Sequence, residues 1–306
     1  MSSIPRLTLN TGAPMPAIGL GCWGGVTEAE RAAAEPWILT ALKAGYRHLD
    51  TAHGYGTEVV VGKAIRASGI PREDIFVTTK LPPHHGGKVE YSINESLERL
   101  GLDYVDLYLV HWPQSEAYVD GNDDPKDASG ELIVNDPPKF AQVWEQMEKV
   151  YASGKARAIG VSNFSVKTLE QLIKSAKVMP AANQLELHPY LQQPALMEYC
   201  ASKGIKVIAY TPTGYATVRS DPTITSLASK YGVMPAQIIL AWHLLRGNAA
   251  VPKSANGEHQ KGNLVIPKLS QTDFEAICAL DREERLCNKA DSKGKVYGWN
   301  YAQLGW

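Results

Sequence analysis

Several things are missing from this 306-residue sequence, and each absence excludes a class of protein. It holds no run of about 18 consecutive apolar residues, so no membrane-spanning helix is expected. The opening "MSSIPRLTLNTGAPMP" has no basic stretch followed by an apolar core, so an export signal is not expected and a cytoplasmic location is. Charge of one sign is not in excess: 31 basic against 32 acidic residues leave a formal charge of -1. Neither nucleic acid nor a membrane surface is therefore expected as a partner, and a ligand must be recognised locally. Cysteine is sparse. Cys22, Cys200, Cys278 and Cys287 are far apart and form no CxxC pair, which argues against a disulfide framework or a zinc site. They read as reduced, mostly buried thiols, and no metal site is expected. No GxGxxG follows a first strand, which disfavours a Rossmann dehydrogenase. Internal repeats and low-complexity tracts are absent too.

What is present is an alternation. Short apolar or β-branched runs recur at 17–23, 46–52, 75–81, 107–112, 156–164, 182–187, 206–211 and 249–254, with amphipathic segments between them. Helices are predicted over residues 28–44, 91–100, 140–153 and 168–176, several followed by a glycine at the C-cap position. Near-continuous apolar strands separated by helices imply a parallel sheet covered by helices, and eight such units imply an α/β fold of the (β/α)₈ TIM barrel type. The 44% hydrophobic content suffices for a large core, and residues 1–306 read as a single barrel domain. "RLTLNTGAPMPAIG" reads as an N-terminal hairpin closing the barrel bottom. Two segments depart from the pattern: a long loop over 114–138, and an aromatic tail, "VYGWNYAQLGW", expected near the mouth or docked on a helix.

Such barrels build their sites at the carboxyl ends of the strands. Strands two, three and four end in Asp50, Lys80 and His111, and Tyr55 lies in the turn after strand two. Adjacent strands run about 4.8 Å apart, so these groups can converge although they are distant in sequence. The set has the logic of general acid catalysis. Free tyrosine titrates near about 10, and an ammonium about 4 Å away favours the phenolate by roughly 4 kcal/mol before the burial penalty. Lys80 is thus expected to lower the Tyr55 pKa, with Asp50 keeping Lys80 charged. Neutral His111 can donate a hydrogen bond to a substrate carbonyl. A single histidine or lysine at a strand end is more often an ordinary satisfied polar residue, so the weight rests on the set of four.

These residues lie in "HLDTAHGYGTE", "TTKL", "YLVHWP" and "IGVSNF", and through those motifs the chain resembles the aldo-keto reductases over essentially its whole length. The resemblance implies a barrel that binds NADP(H), with Tyr55 as the acid, Lys80 and Asp50 tuning it and His111 positioning the carbonyl. It also implies Ser162, Asn163 and Gln184 at the nicotinamide carboxamide, Tyr210 stacked on the ring with Thr211 beside it, and Trp23, His53 and Trp112 as pocket walls. "VPKSAN" is similar to the family's adenosine 2'-phosphate motif, which implies Lys253, Ser254 and Asn256 as phosphate contacts and His259 and Asn263 as further cofactor contacts.

The chain also departs from the family pattern. His259 stands where many members have arginine, and Gly262 where glutamate is usual, which implies a weaker clamp on the 2'-phosphate. The loop after "YTPTG" is short, and Pro82 replaces a common tryptophan. The implied activity is NADPH-dependent reduction of aldehydes or reactive ketones to alcohols. "GELIVND" and "LSQTDFEAI" look closest to fungal reductases of small hydroxyaldehydes and short sugars. The competing readings are an NADPH-binding sensor or regulatory subunit with little turnover, and a Schiff-base aldolase or isomerase. The partner is expected to be a small carbonyl or alcohol, and the protein a monomer or weak dimer.

Overall fold

The computed structural model describes residues 4–122, 125–134 and 140–306. Eight parallel strands form one sheet in sequential order: Leu20–Gly21, His48–Asp50, Phe76–Leu81, Leu107–Val110, Ile159–Ser162, Ala182–Glu186, Lys206–Tyr210 and Ala249–Ala250. Each falls inside a stretch expected from the sequence. The sheet closes on itself through a parallel bridge between Ile18 and Ala250, with Gly19 N donating to Ala250 O and Ala250 N to Ala17 O. Closure leaves no strand edge unpaired.

The N-terminal hairpin pairs Arg6–Thr8 with Pro14–Pro16. Its Leu9 and Met15 pack against Phe76, Leu107, Leu109, Ala182 and Ile208, and Asn10 Nδ2 donates to the carbonyls of Met179 and Pro180, just ahead of the sixth strand. The hairpin therefore plugs the amino-terminal end of the barrel and leaves the opposite end for chemistry. Around the barrel, helices such as Val89–Leu100 and Phe140–Ala152 bury Ile93, Leu100, Trp144 and Met147 against the sheet. One glycine is indispensable to this layer: a Cβ on Gly62 would lie 1.9 Å from the carbonyl oxygen of Leu100 in the neighbouring helix.

The segment expected as one helix over 28–44 is two helices, Glu28–Ala32 and Glu35–Ala44. Thr27 and Glu30 cap the first reciprocally, and Pro36 sits in the first turn of the second. Proline has no N–H and crowds the preceding turn, so a continuous helix through it is disfavoured. Thr168–Ala176 is likewise Val166–Ile173, started by a Ser165–Thr168 capping box.

The long loop after the fourth strand folds back on itself through bridges Glu116–Val134 and Lys126–Leu132. Residues 123–124 and 135–139 of that loop, including the last two of "GELIVND", lie outside the described residues. The tail forms a small hairpin, Lys295–Val296 with Trp299–Asn300, and reaches the mouth: Gln114 Nε2 donates to Val296 O at 3.1 Å and Tyr297 O at 3.0 Å. Among the described residues no helix is long and apolar enough to cross a membrane. All four cysteines are free; Cys22 and Cys200 are buried, whereas Cys278 and Cys287 are only partly so.

Candidate active site

The strand register brings the expected group together at the carboxyl end of the barrel. Lys80 is completely buried, and its ammonium donates to Asp50 Oδ1 at 2.7 Å and to Thr51 O at 2.8 Å. It also reaches Tyr55 Oη at 3.4 Å and lies 4.7 Å from the centre of that ring. The Tyr55 and His111 rings meet edge to face with centroids 5.8 Å apart. Tyr55 is delivered by a 3₁₀ turn, His53–Tyr55, that ends at Gly56 in the left-handed region (φ 64°). That geometry suits glycine and tips the tyrosine back over the strand ends.

Asp50 is held from two sides, since Gln184 Nε2 donates to its Oδ2 at 2.6 Å. Both carboxylate oxygens are satisfied, which is the condition for keeping a carboxylate in a dry site. A further network surrounds the group. Ser162 Oγ donates to Gln184 O at 2.9 Å, and Asn163 Nδ2 donates to His111 O at 3.0 Å. Tyr210 Oη donates to Asn163 Oδ1 at 2.7 Å and accepts from Asn288 Nδ2 at 2.9 Å. Asn163 (φ 65°) and Thr211 (φ 48°) both occupy the left-handed region, an uncommon choice for non-glycine residues that clusters where backbone is held for function.

The electrostatics correct one expectation. The Tyr55 phenol is pushed well above the ordinary tyrosine value, by burial first and the Asp50 charge second; the anticipated lowering by Lys80 does not prevail. The reason is that Asp50 meets the ammonium head-on and spends most of its field, while desolvation falls on the phenolate in full. Burial also lowers Lys80, with Asp50 as the main opposing influence. His111 lies well below its ordinary value through burial and then Lys80, so its imidazole is neutral.

The other expected residues sort by place. Lys253 is exposed, its ammonium 5.8 Å from the centre of the Trp37 ring, and Ser254 is partly exposed beside it. Asn256 is the N-cap of helix Gly257–Asn263: its side-chain oxygen accepts from Glu258 N and His259 N. The cap engages the side-chain oxygen, an acceptor, whereas the phosphate contact expected of Asn256 would call on its amide N–H groups. His259 is exposed on that helix, whereas Asn263 is buried at its far end. Of the pocket walls, Trp23 is exposed, and Trp112 is buried against Tyr297 (4.7 Å between ring centres) and Trp306 (5.8 Å). His53 is buried and paired through Nε2 with Glu95 at 3.0 Å.

Sequence reasoning missed Glu186 and the strap that follows residue 281. Glu186 is buried, two residues beyond Gln184 on the same strand; its Oε1 accepts from Leu286 N at 2.6 Å and Cys287 N at 2.8 Å and contacts His188 Nε2 at 3.1 Å. It fastens the strap so that Asn288 reaches Tyr210. An acid as the last residue of a barrel strand was the available signal.

Comparison with known proteins agrees with this geometry. The aldo/keto reductase family profile matches residues 17–282, so the chain belongs to that family. Among curated proteins, it is 45% identical over 291 residues to glycerol 2-dehydrogenase (NADP(+)) of Saccharomyces cerevisiae, covering 91% of each chain. It is 42% identical over 291 residues to an aldehyde reductase of the same yeast, covering 92% of each. The aldose reductase structure from Schistosoma japonicum superposes with a TM-score of 0.88 at 31% identity, over 96% of this chain and 98% of that one.

Proposed function

We propose that this chain reduces aldehydes or reactive ketones to alcohols, reversibly, with NADPH as the hydride donor and Tyr55 as the general acid. The observation that carries the reading is the convergence of Tyr55, Lys80, Asp50 and His111, with a buried lysine 2.7 Å from the carboxylate and 3.4 Å from the phenol. A small hydroxyaldehyde or short sugar is the proposed substrate, a reading supported by the yeast relatives' names and by a mouth walled with Trp112 and Tyr297. NADP(H) fits the residues present. Lys253 and Ser254 offer an exposed charge and hydroxyl at a helix start, suited to a phosphate. Ser162, Asn163 and Gln184 gather amide and hydroxyl groups near the tetrad, suited to a carboxamide, and Tyr210 offers a ring face for stacking.

When bound, the cofactor supplies a hydride to the carbonyl carbon. Tyr55 gives its proton to the carbonyl oxygen, which becomes the alcohol; the raised phenol pKa keeps that proton available across the neutral range. Lys80 stabilises the resulting phenolate, and Asp50 holds Lys80 with Gln184 as a brace. Neutral His111 donates to the same carbonyl oxygen and orients it. Because Lys80 is engaged by Asp50 and Thr51 O, it is a poor Schiff-base nucleophile, which disfavours an aldolase.

The test is Tyr55→Phe. Its NADPH affinity, read by fluorescence titration, is expected to stay within about twofold of the parent, while chemistry-limited aldehyde reduction falls about 10² to 10⁴-fold. Retention of more than roughly a tenth of the turnover would remove Tyr55 from the acid's role. Tight NADPH binding by the parent chain with no turnover across a panel of aldehydes would instead favour a sensor subunit.

A further inference from the structure

A second cluster of titratable side chains lies beside the tetrad and takes no part in the proposed reaction. His53 comes from the turn after the second barrel strand, His85 from the 3₁₀ turn Pro83–His85 after the third, and Glu95 from helix Val89–Leu100. One ligand atom of each lies within 4.8 Å of the other two. His53 Nε2 is 3.0 Å from Glu95 Oε2, and the His53 and His85 ring centres are 4.8 Å apart. Both histidines are buried, and His53 Nδ1 has no hydrogen-bond partner among the described residues.

We propose that His53, His85 and Glu95 form a binding site for a divalent transition-metal ion of the zinc class. Two imidazoles and one carboxylate are a borderline donor set that suits zinc rather than calcium or magnesium. The orienting contact expected behind such a ligand is present: His85 Nδ1 meets Ser92 Oγ at 3.1 Å, which holds the ring. The local charge does not oppose a cation. Arg99 is the guanidinium shared by two carboxylates, Glu95 and the buried Glu58, so that group of three carries a net charge of one minus two, or -1. Lys88, the other nearby cation, rests on the Tyr118 ring at 3.4 Å, and that ring's centre lies 5.6 Å from that of His85. Zinc bonds of about 2.0 to 2.2 Å place ligands roughly 3.4 Å apart, so a pair at the outer limit of 4.8 Å needs to close by roughly 1.4 Å. No sequence spacing announces the site, because its ligands sit on three different elements and none is a cysteine.

The site is tested on the full chain with zinc alone, after stripping by chelator and in buffer free of thiols. One zinc per chain is expected in competition with a chromogenic chelator. His85→Asn should weaken that binding at least about tenfold while the circular dichroism stays unchanged. Unaltered zinc affinity in His85→Asn, or no zinc taken up by the parent chain, would overturn the proposal. Should His85→Asn fail to fold, cobalt(II) bound to the parent chain decides. A visible spectrum of four-coordinate nitrogen and oxygen ligation supports the site, and an intense thiolate charge-transfer band, which would place the ion on a cysteine, refutes it. Neither readout depends on the proposed reductase activity.

Discussion

Tyr55 and Lys253 show how much a residue's surroundings alter what its chemistry can do. The phenol of Tyr55 is raised by burial and by Asp50, so it stays protonated from neutral pH to well above the ordinary tyrosine value. The sign for activity follows: carbonyl reduction needs the protonated acid and should hold level between about pH 6 and 9, whereas alcohol oxidation needs the phenolate and should climb with pH over that span. A pH–rate profile in both directions checks this; a reduction rate that already declines as pH rises toward about 8 would mean that the phenol is lowered after all. At the proposed cofactor end, Lys253 and His259 are both exposed, and in the proposed role a lysine charge meets the 2'-phosphate while a histidine makes a weaker contact than an arginine. Lys253→Met is expected to weaken NADPH by about 10 to 150-fold, the value of a charge-assisted contact of roughly 1.5 to 3 kcal/mol, and NADH by far less. Equal losses in titrations of the two cofactors would show that Lys253 does not meet the 2'-phosphate.

Elements owe their limits to caps and prolines that local sequence makes legible, and their attachments to pairs that it does not. The break between Glu28–Ala32 and Glu35–Ala44 could have been read from Pro36, whereas the anchoring of helix Gln271–Cys278 could not. That anchor is Asp273, which accepts from Lys230 Nζ at 2.8 Å, from Tyr231 Oη and from Ser270 Oγ, tying the helix to Pro222–Tyr231. Its carboxyl is held far below the ordinary range, first by Lys230. A depressed carboxylate contributes stability that is present above its unfolded value near about 3.9 and is lost as pH falls toward the folded one. Asp273→Asn should therefore lower the Tm at pH 7, and the gap from the parent should shrink as pH falls below about 4. Thermal melts across that range check it, and a gap independent of pH would assign the effect to packing alone.

For the whole molecule, the barrel's ends divide the labour: the N-terminal hairpin seals one, and the long loop, strap and tail shape the other. Trp112 is buried because Tyr297 and Trp306 cover it, and Gln114 holds the tail through two backbone carbonyls. Removing residues 295–306 should raise the KM for an aldehyde roughly tenfold, as aromatic contacts of about 0.5 to 1.5 kcal/mol each are lost. NADPH affinity should change little, since the proposed cofactor residues lie elsewhere. A truncated chain with an unchanged KM would place the substrate away from Trp112.

The eight strands, the hairpin and the Asp50, Tyr55, Lys80, His111 set were legible because each rests on local information: a run of apolar residues, a turn, a polar group at a strand's end. Hydrophobic periodicity decides a strand wherever it occurs, and a closed parallel sheet then carries strand-end groups to one mouth. Other features were not legible, because they depend on groups that meet only after folding. Glu186 binds backbone N–H groups 100 and 101 residues further along, and His53, His85 and Glu95 are collected from three elements. The direction of the Tyr55 shift belongs to this second kind. Sequence alone can state that an ammonium comes near, but whether attraction or desolvation prevails depends on how much water the assembled protein excludes and on how fully Asp50 has already engaged Lys80.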